Sequence, residues 1–267
     1  MKDVNSTYFS AQIRSLNFSA PDASGIINDW VSEATHGKIP TIVPEQIPGD
    51  IVMYLINAVY FKGTWKHQFD PSNTYGSVFH LSDGSTVPCQ MMRITDTISC
   101  FIDSDRVCVD LPYGHIGFSM TILLPPEGMN IDQFIATDIS ASGLTALSTS
   151  LRKSEVQLAL PKFKLEYEDT LKGVLRELGM GIAFSGAADF TGIDKRGGLA
   201  ISEVLHKTFV QVDEVGTEAA AATSVAMSRA IRDDIRSVVV DRPFVFAIRE
   251  HLSNTILFIG KVSQPEW

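Results

Sequence analysis

The sequence predicts a mixed α+β fold in which strands outnumber helices. Many segments of strand length are rich in β-branched and aromatic residues, only two segments have the apolar period of an amphipathic helix, and turn-forming dipeptides separate the strands. The 267 residues are 45% hydrophobic and 20% charged, which suits a folded protein with a sizeable core. No repeat, low-complexity tract or Pro/Gly linker divides the chain, so we interpret residues 1–267 as one domain.

The first quarter of the chain is predicted to contain two strands and a helix. Residues 8–18 have strand character. Residues 22–34 place their apolar side chains on one helical face, and Gly37 follows as a stop signal. Residues 51–61 are apolar on both faces and rich in β-branched and aromatic residues, which predicts a central strand covered on both sides.

The rest of the chain is predicted to consist mainly of strands. The dipeptides Asp83-Gly84 and Ser253-Asn254 are expected turns between them. A second short helix at residues 169–178 is expected to turn Leu171, Val174, Leu175 and Leu178 inward. The remaining strands are predicted within residues 78–92, 101–124, 155–160, 200–212, 244–248 and 255–262.

Composition excludes several classes of partner and site. The net charge is −9 and no Lys/Arg cluster is present, which argues against a nucleic-acid or anionic-membrane partner. No apolar run reaches the roughly 18 residues of a membrane-spanning helix. Cys89, Cys100 and Cys108 cannot all pair within one chain, and their separations match no zinc or redox motif, so we predict buried free thiols.

Catalytic and metal-binding motifs are not found. The sequence has no GxSxG nucleophile elbow, HExxH motif, P-loop or EF-hand loop, and its six histidines are scattered. A lone histidine is more often a core or surface residue than a catalyst. We therefore expect no enzyme activity, cofactor or metal site.

The segment at residues 213–242 is unusual for a globular fold because it has almost no bulky side chain before residue 225. Residues 218–222 have strong helix propensity, so a helix followed by a polar loop is one interpretation. As a strand, the segment would place Thr217, Ala219, Ala221, Thr223 and Val225 on one face. Such small side chains could slide between existing strands without overpacking them, and Gly216 would tolerate the changed backbone angles.

The run from residue 214 to 223 resembles the hinge of the serpin family, in which small residues permit a cleaved loop to insert into a central sheet. Other serpin-like stretches follow in the family's order and cover nearly the whole chain. These are residues 27–31 and 35–39, 57–65 (NAVYFKGTW), 160–163 (LPKF), 188–193 (ADFTGI), 206–207, 242–244 (RPF) and 258–262 (FIGKV).

The resemblance implies a large central mixed sheet with smaller sheets and surrounding helices. It also implies an inhibitor of serine or cysteine proteases that acts as a monomeric suicide substrate, with residues 214–242 as hinge and reactive-centre loop. Asn57 and His206 would hydrogen-bond in the shutter beneath the main sheet, and Trp65, Lys162 and Glu214 would meet at the breach, where the loop first enters. The hinge itself would comprise Glu214, Gly216, Thr217, Ala219, Ala221 and Thr223.

The scissile bond can be located by counting along the resembling loop. The residue fourteen positions after Gly216 is Ala230, followed by Ile231, and a small residue there suits elastase-like or subtilisin-like proteases. A loop shorter by one residue puts Arg229 before the bond and makes trypsin-like enzymes the targets. Arg232 is a third option when the count starts from Pro243.

The chain departs from the family pattern at its start, since no counterpart of the N-terminal helices precedes Tyr8. A truncated gene model or a natural short form would explain this. We expect the chain alone to be poorly stable and unable to trap a protease.

Two further hypotheses concern function and location. The alternatives within the fold are a non-inhibitory carrier or chaperone and an inactive fragment. An unrelated α and β binding or storage protein would leave the ordered matches unexplained. Asn5-Ser6-Thr7 and Asn17-Phe18-Ser19 are glycosylation acceptors only if the chain is secreted. We favour an extracellular over a cytoplasmic location.

Overall fold

The computed structural model describes residues 11–103, 106–114, 117–140, 143, 149–217 and 235–267. These residues form two compact units. The first comprises residues 11–60 and 166–209, and the second comprises the described residues of 61–165 and 210–267. The strands are β1 (Tyr54–Tyr60), β2 (Gly63–Thr64), β3 (Tyr75–His80), β4 (Thr86–Ile102), β5 (Val107–Tyr113), β6 (Phe118–Leu124), β7 (Arg152–Pro161), β8 (Phe163–Thr170), β9 (Glu203–Val212), β10 (Gly216–Thr217), β11 (Arg236–Val239), β12 (Phe244–Glu250) and β13 (Ile256–Val262). The α-helices are α1 (Ala23–Ala34), α2 (Ile131–Asp138) and α3 (Lys172–Leu175).

The first unit packs α1 against one face of a parallel strand pair. Strand β1 pairs with β9 from Tyr54 opposite Glu203 to Tyr60 opposite Phe209. One side of this pair packs on a cluster built from α1 and the segment that follows it, with members Ile27, Val31, Ile39, Ile42, Val43 and Phe209. Since side chains alternate along a strand, the other face of β1 carries Leu55 and Asn57, and both are exposed.

The sequence-based predictions for the first unit are wrong in three respects. The described part of the predicted strand at residues 8–18 has no strand pairing. Among the described residues, strand β1 is covered on one face only, with Leu55 48% exposed, so it is not a doubly covered central strand. The predicted helix at residues 169–178 is present, since helical structure runs from Lys172 through Met180, but the prediction of its inward face is wrong: Val174 and Leu178 are exposed because no described element packs over them. Apolar periodicity cannot show whether a covering element is present.

The second unit is built on an eight-stranded sheet with the order β11-β7-β4-β5-β6-β12-β13, to which β3 adds by pairing with β4. The predicted hairpins are confirmed. The turn between β3 and β4 contains Gly84 with φ 83°, and the turn between β12 and β13 contains Asn254 with φ 58°. A hydrophobic cluster that includes Phe79, Met91, Leu158, Phe163 and Phe246 forms the main core of this unit.

The prediction of buried free thiols is confirmed for all three cysteines. Cys89 and Cys100 belong to the main cluster, and Cys108 belongs to a second cluster with Leu123, Ile131 and Phe134. Burial, with a smaller contribution from Asp110, raises the pKa of the Cys108 thiol to about 12. Across the described ranges, no group of three or more metal-binding side chains comes together. In the same ranges, no helix is both long and apolar enough to cross a membrane.

Candidate functional site

Strand β10 lies at the start of the predicted loop and pairs with two neighbours in the second unit. Thr217 is opposite Val212 at the end of β9, and the pairing is antiparallel. On its other side β10 pairs antiparallel with β2, with Gly216 opposite Thr64 and Thr217 opposite Gly63. The base of the loop is therefore already a short strand between two others.

Glycine is required at two positions of this pairing. Gly216 has φ 156°, and a Cβ atom there would overlap the carbonyl oxygen of Gly63. A Cβ on Gly63 would lie 2.8 Å from the Tyr113 ring and 2.7 Å from the Phe61 ring. The hinge glycine predicted from sequence is thus explained by a close approach of two backbones.

Glu214 is the centre of a mostly buried polar cluster. Its carboxylate accepts a hydrogen bond from the Thr74 hydroxyl at 2.8 Å and forms an ion pair with the Lys162 ammonium at 3.0 Å. The side chains of Lys162 and Glu214 are only 16% and 11% exposed. Burial raises the pKa of the Glu214 carboxyl, but hydrogen bonds from its own N–H, Thr74 and Lys162 outweigh it and hold that pKa below its usual value.

Trp65 donates hydrogen bonds to the backbone carbonyls of the two residues that flank Glu214. The indole N–H donates to the carbonyl of Asp213 at 2.9 Å, and the backbone N–H of Trp65 donates to the carbonyl of Val215 at 2.9 Å. The Glu214 carbonyl accepts from the N–H of Phe69 at 2.9 Å. The structure therefore brings together Trp65, Lys162 and Glu214, the three residues of the predicted breach.

Sequence reasoning missed a fourth member of this cluster, Tyr113. Its ring stacks on Trp65 with centroids 4.5 Å apart, and its hydroxyl shares a 2.7 Å hydrogen bond with the hydroxyl of Thr217. Both residues are buried, and burial raises the pKa of Tyr113. The sequence marked Tyr113-Gly114 only as a strand break, because contacts across 104 residues leave no local signal.

The predicted shutter residues lie in the first unit, and their side chains have fewer hydrogen-bond partners than those of the polar cluster around Glu214. Asn57 of β1 and His206 of β9 are direct register partners. However, the expected hydrogen bond between their side chains does not form, and His206 Nδ1 is buried without a partner. Asn57 is exposed because it lies on the uncovered face of β1, where no described element holds its amide against the imidazole.

Comparison with known proteins decides the family. The model of the serpin family, described as serine protease inhibitors, matches residues 2–265. This chain is a serpin. Serine protease inhibitor 42Dd of Drosophila melanogaster is 39% identical over 264 residues, which cover 96% of this chain and 68% of that protein. The chain thus spans about two thirds of this relative's length.

Solved serpin structures resemble the whole chain. Serpin48 of the insect Tenebrio molitor has a TM-score of 0.87 at 32% identity, covering 99% of this chain and 71% of its own. Human thyroxine-binding globulin complexed with thyroxine has a TM-score of 0.88 at 29% identity, covering 100% and 70%. The fold is therefore the α+β serpin fold, and membership of this family makes the protein a protease inhibitor by class and not an enzyme.

The remaining predicted serpin sites cannot be placed. The distal hinge residues Ala219, Ala221 and Thr223 lie outside the described residues. So do the scissile-bond candidates Arg229, Ala230 and Ile231, together with Arg232.

Proposed function

We propose that this serpin inhibits a serine endopeptidase as a suicide substrate whose loop, residues 214–242, inserts between β1 and β9 after cleavage. The observation that carries the proposal is the register of β10. Strand β10 runs antiparallel to β9 and to β2, and β2 follows β1 along the chain. A chain that continued from Thr217 in the same direction would become a new strand between β1 and β9.

The two registers of β10 support one position for this new strand. Continued without a bulge, the pairing with β9 sets Thr223 opposite His206, and the pairing with β2 and β1 sets Thr223 opposite Asn57. Asn57 and His206 are themselves register partners, so the two extrapolations agree. In the inserted state we expect the Thr223 hydroxyl to lie beside the unpartnered Nδ1 of His206.

The side chains of the segment fit this path. Thr217 is fully buried, and residues at alternate positions after it would lie on the same face of the sheet as Thr217. Those residues are Ala219, Ala221 and Thr223, which are small enough to enter a sheet without overpacking it. Insertion would replace the direct β1 to β9 hydrogen bonds with two new ladders, which provides the driving force for moving a bound protease.

The chemistry is supplied by the protease. Its catalytic serine attacks the carbonyl carbon before the scissile bond, forms an ester and releases the next residue as a free amine. In an ordinary substrate, water would then hydrolyse the ester. We propose that insertion of the loop displaces and distorts the protease before that step, so that the ester persists.

The target class depends on which bond is cleaved. Cleavage after Ala230 favours elastase-like or subtilisin-like proteases, and cleavage after Arg229 favours trypsin-like proteases. A carrier function is the second candidate, because thyroxine-binding globulin complexed with thyroxine resembles this chain. The small hinge residues favour inhibition, since a carrier needs no loop that can enter a sheet.

The test is incubation with an elastase-like and a trypsin-like protease, followed by a denaturing gel and mass spectrometry. We expect cleavage within residues 227–232, with a released peptide that begins at Ala230 or Ile231. A lasting covalent complex is expected when the chain is joined to the segment of 42Dd that lies outside the match. Failure of both forms to give a complex, together with saturable binding of thyroxine, would replace inhibition by carriage.

A further inference from the structure

Trp267 lies beside the hinge cluster because the chain turns back after β13. The hinge cluster comprises Trp65, Tyr113, Lys162, Glu214 and Thr217. Pro265 is buried, and the carbonyl of Glu266 accepts the backbone N–H of Lys164 at 2.8 Å. Lys164 and Glu266 form an isolated antiparallel bridge. This bridge brings Trp267 to the beginning of β8.

The indole of Trp267 lies against two ammonium groups. Lys162 and Lys164 flank the fully buried Phe163, so they project on the same side of the chain. The Nζ of Lys162 is 4.0 Å from the Trp267 ring centroid, and that of Lys164 is 5.0 Å from it. The negative face of an aromatic ring attracts cations at such distances, most strongly for tryptophan.

The ammonium of Lys162 also binds the hinge. It pairs with the Glu214 carboxylate at 3.0 Å, and the Glu214 carbonyl accepts the N–H of Phe69. Trp267, Lys162 and Glu214 therefore form one continuous chain of contacts from the end of the described chain to the base of the loop. The Trp267 ring covers part of the Lys162 ammonium that water would otherwise solvate. This contact reduces the number of rotamers open to Lys162 and limits the screening of its ion pair with Glu214 by solvent and salt.

We propose that Trp267 is a positioning residue that holds Lys162 against Glu214 and so controls how readily the base of the loop separates from β2 and β9. The contact itself is independent of the proposed inhibition. Only its consequence, control of the rate of loop insertion, rests on that function.

The test is hydrogen exchange of the 267-residue chain without any protease. The reporters are the amides of Trp65 and Phe69, which donate to the carbonyls of Val215 and Glu214. The references are the amides of Phe246 and Ile248 in β12, which is paired on both sides, with β6 and with β13. For Trp267→Ala we expect the reporter amides to exchange about threefold to tenfold faster, the range that one cation–π contact implies. The reference amides should be unchanged.

Matched variants separate a cation–π contact from simple packing. Trp267→Phe should retain most of the protection and Trp267→Leu should lose it, because leucine is close to phenylalanine in apolar bulk but has no ring. Glu266→Ala should behave as wild type, since Glu266 contributes only its carbonyl to the bridge. Combined with Lys162→Met, Trp267→Ala should add nothing, since both substitutions break the same chain of contacts.

Three results would overturn the proposal: unchanged exchange in Trp267→Ala, full protection in Trp267→Leu, or additive effects with Lys162→Met. Acceleration of the reference amides along with the reporters would also count against it, since that indicates general unfolding. The protease assay tests inhibition independently of the hydrogen-exchange experiment. A missing covalent complex with the expected exchange pattern would refute inhibition alone, whereas a complex with unchanged exchange would refute the role of Trp267 alone.

Discussion

The two ends of strand β9 differ in how completely their polar groups are bound. At the Val212 end, the carboxylate of Glu214, the hydroxyl of Thr217 and the indole N–H of Trp65 all have partners and are buried. Nearer the beginning of β9, His206 Nδ1 is buried without a partner and its register partner Asn57 is exposed. The hinge cluster is thus complete within the described residues, whereas the shutter position is not.

Because of this difference, we expect the two regions to act at different stages, before and after cleavage of the loop. A fully satisfied cluster holds the base of the loop in place, and breaking it leaves buried groups unpaired, which is costly. A buried polar atom without a partner is stabilised by a new hydrogen bond, and under the proposed insertion Thr223 would supply one at His206. We therefore expect substitutions at the hinge cluster to change stability before cleavage and those at the shutter to act mainly after it.

The largest effect is expected for Trp65→Ala, which removes the ring stacked on Tyr113 and the indole N–H that donates to the carbonyl of Asp213. Removing a buried tryptophan costs about 3–5 kcal/mol. Urea unfolding measures the loss. Trp30→Ala is the matched control, since Trp30 is only half-buried and lies in the first unit, and an equal loss there would remove the contrast between the regions.

The next effect is expected for Lys162→Met, which leaves the Glu214 carboxylate without its cation and should cost about 1–3 kcal/mol at neutral pH. The folded-state pKa of Glu214 is lowered, so its contribution is present above the unfolded pKa and is lost as pH falls through the folded value. The difference from wild type should therefore shrink on acidification to about pH 3. Lys164→Met, which leaves the Glu214 ion pair intact, should show a smaller loss without this pH dependence.

A smaller effect is expected for Tyr113→Phe, which removes the hydroxyl bound to Thr217 but keeps the stacked ring. A net loss of about 1 kcal/mol is typical for one buried hydrogen bond. A double-mutant cycle with Thr217→Val checks the assignment. If the two losses add fully, the hydroxyls do not stabilise each other.

The smallest effect is expected for Asn57→Ala in the intact protein. Its side chain is exposed and makes no hydrogen bond to His206, so the change in unfolding free energy should stay within about 0.5 kcal/mol. Urea unfolding of the uncleaved chain measures this. A loss of several kcal/mol would mean that the shutter is already bound before cleavage.

The sequence predicted local structure and family well and burial less well. Helix α1, strands β7, β9, β12 and β13, and the grouping of Trp65, Lys162 and Glu214 all correspond to predicted features. The prediction that β1 is covered on both faces was wrong, because an apolar strand has the same sequence pattern whether or not an element packs over it. Tyr113 and Trp267 were missed because their partners are about 100 residues away, and no periodic pattern marks such pairs.

Unfolding before and after cleavage of the loop tests the central claim, insertion between β1 and β9, most directly. The chain is nicked within residues 227–232, and the thermal midpoint of the nicked form is compared with that of the intact form. Insertion adds strand pairing, so the midpoint should rise on cleavage. By the same registers Ser224 would lie opposite Ile56 and Leu205 on the face that packs on α1, so the gain should vanish in Ser224→Arg. It should persist in Thr223→Arg, on the face that carries the exposed Asn57. An unchanged or lower midpoint in the nicked wild type would contradict insertion.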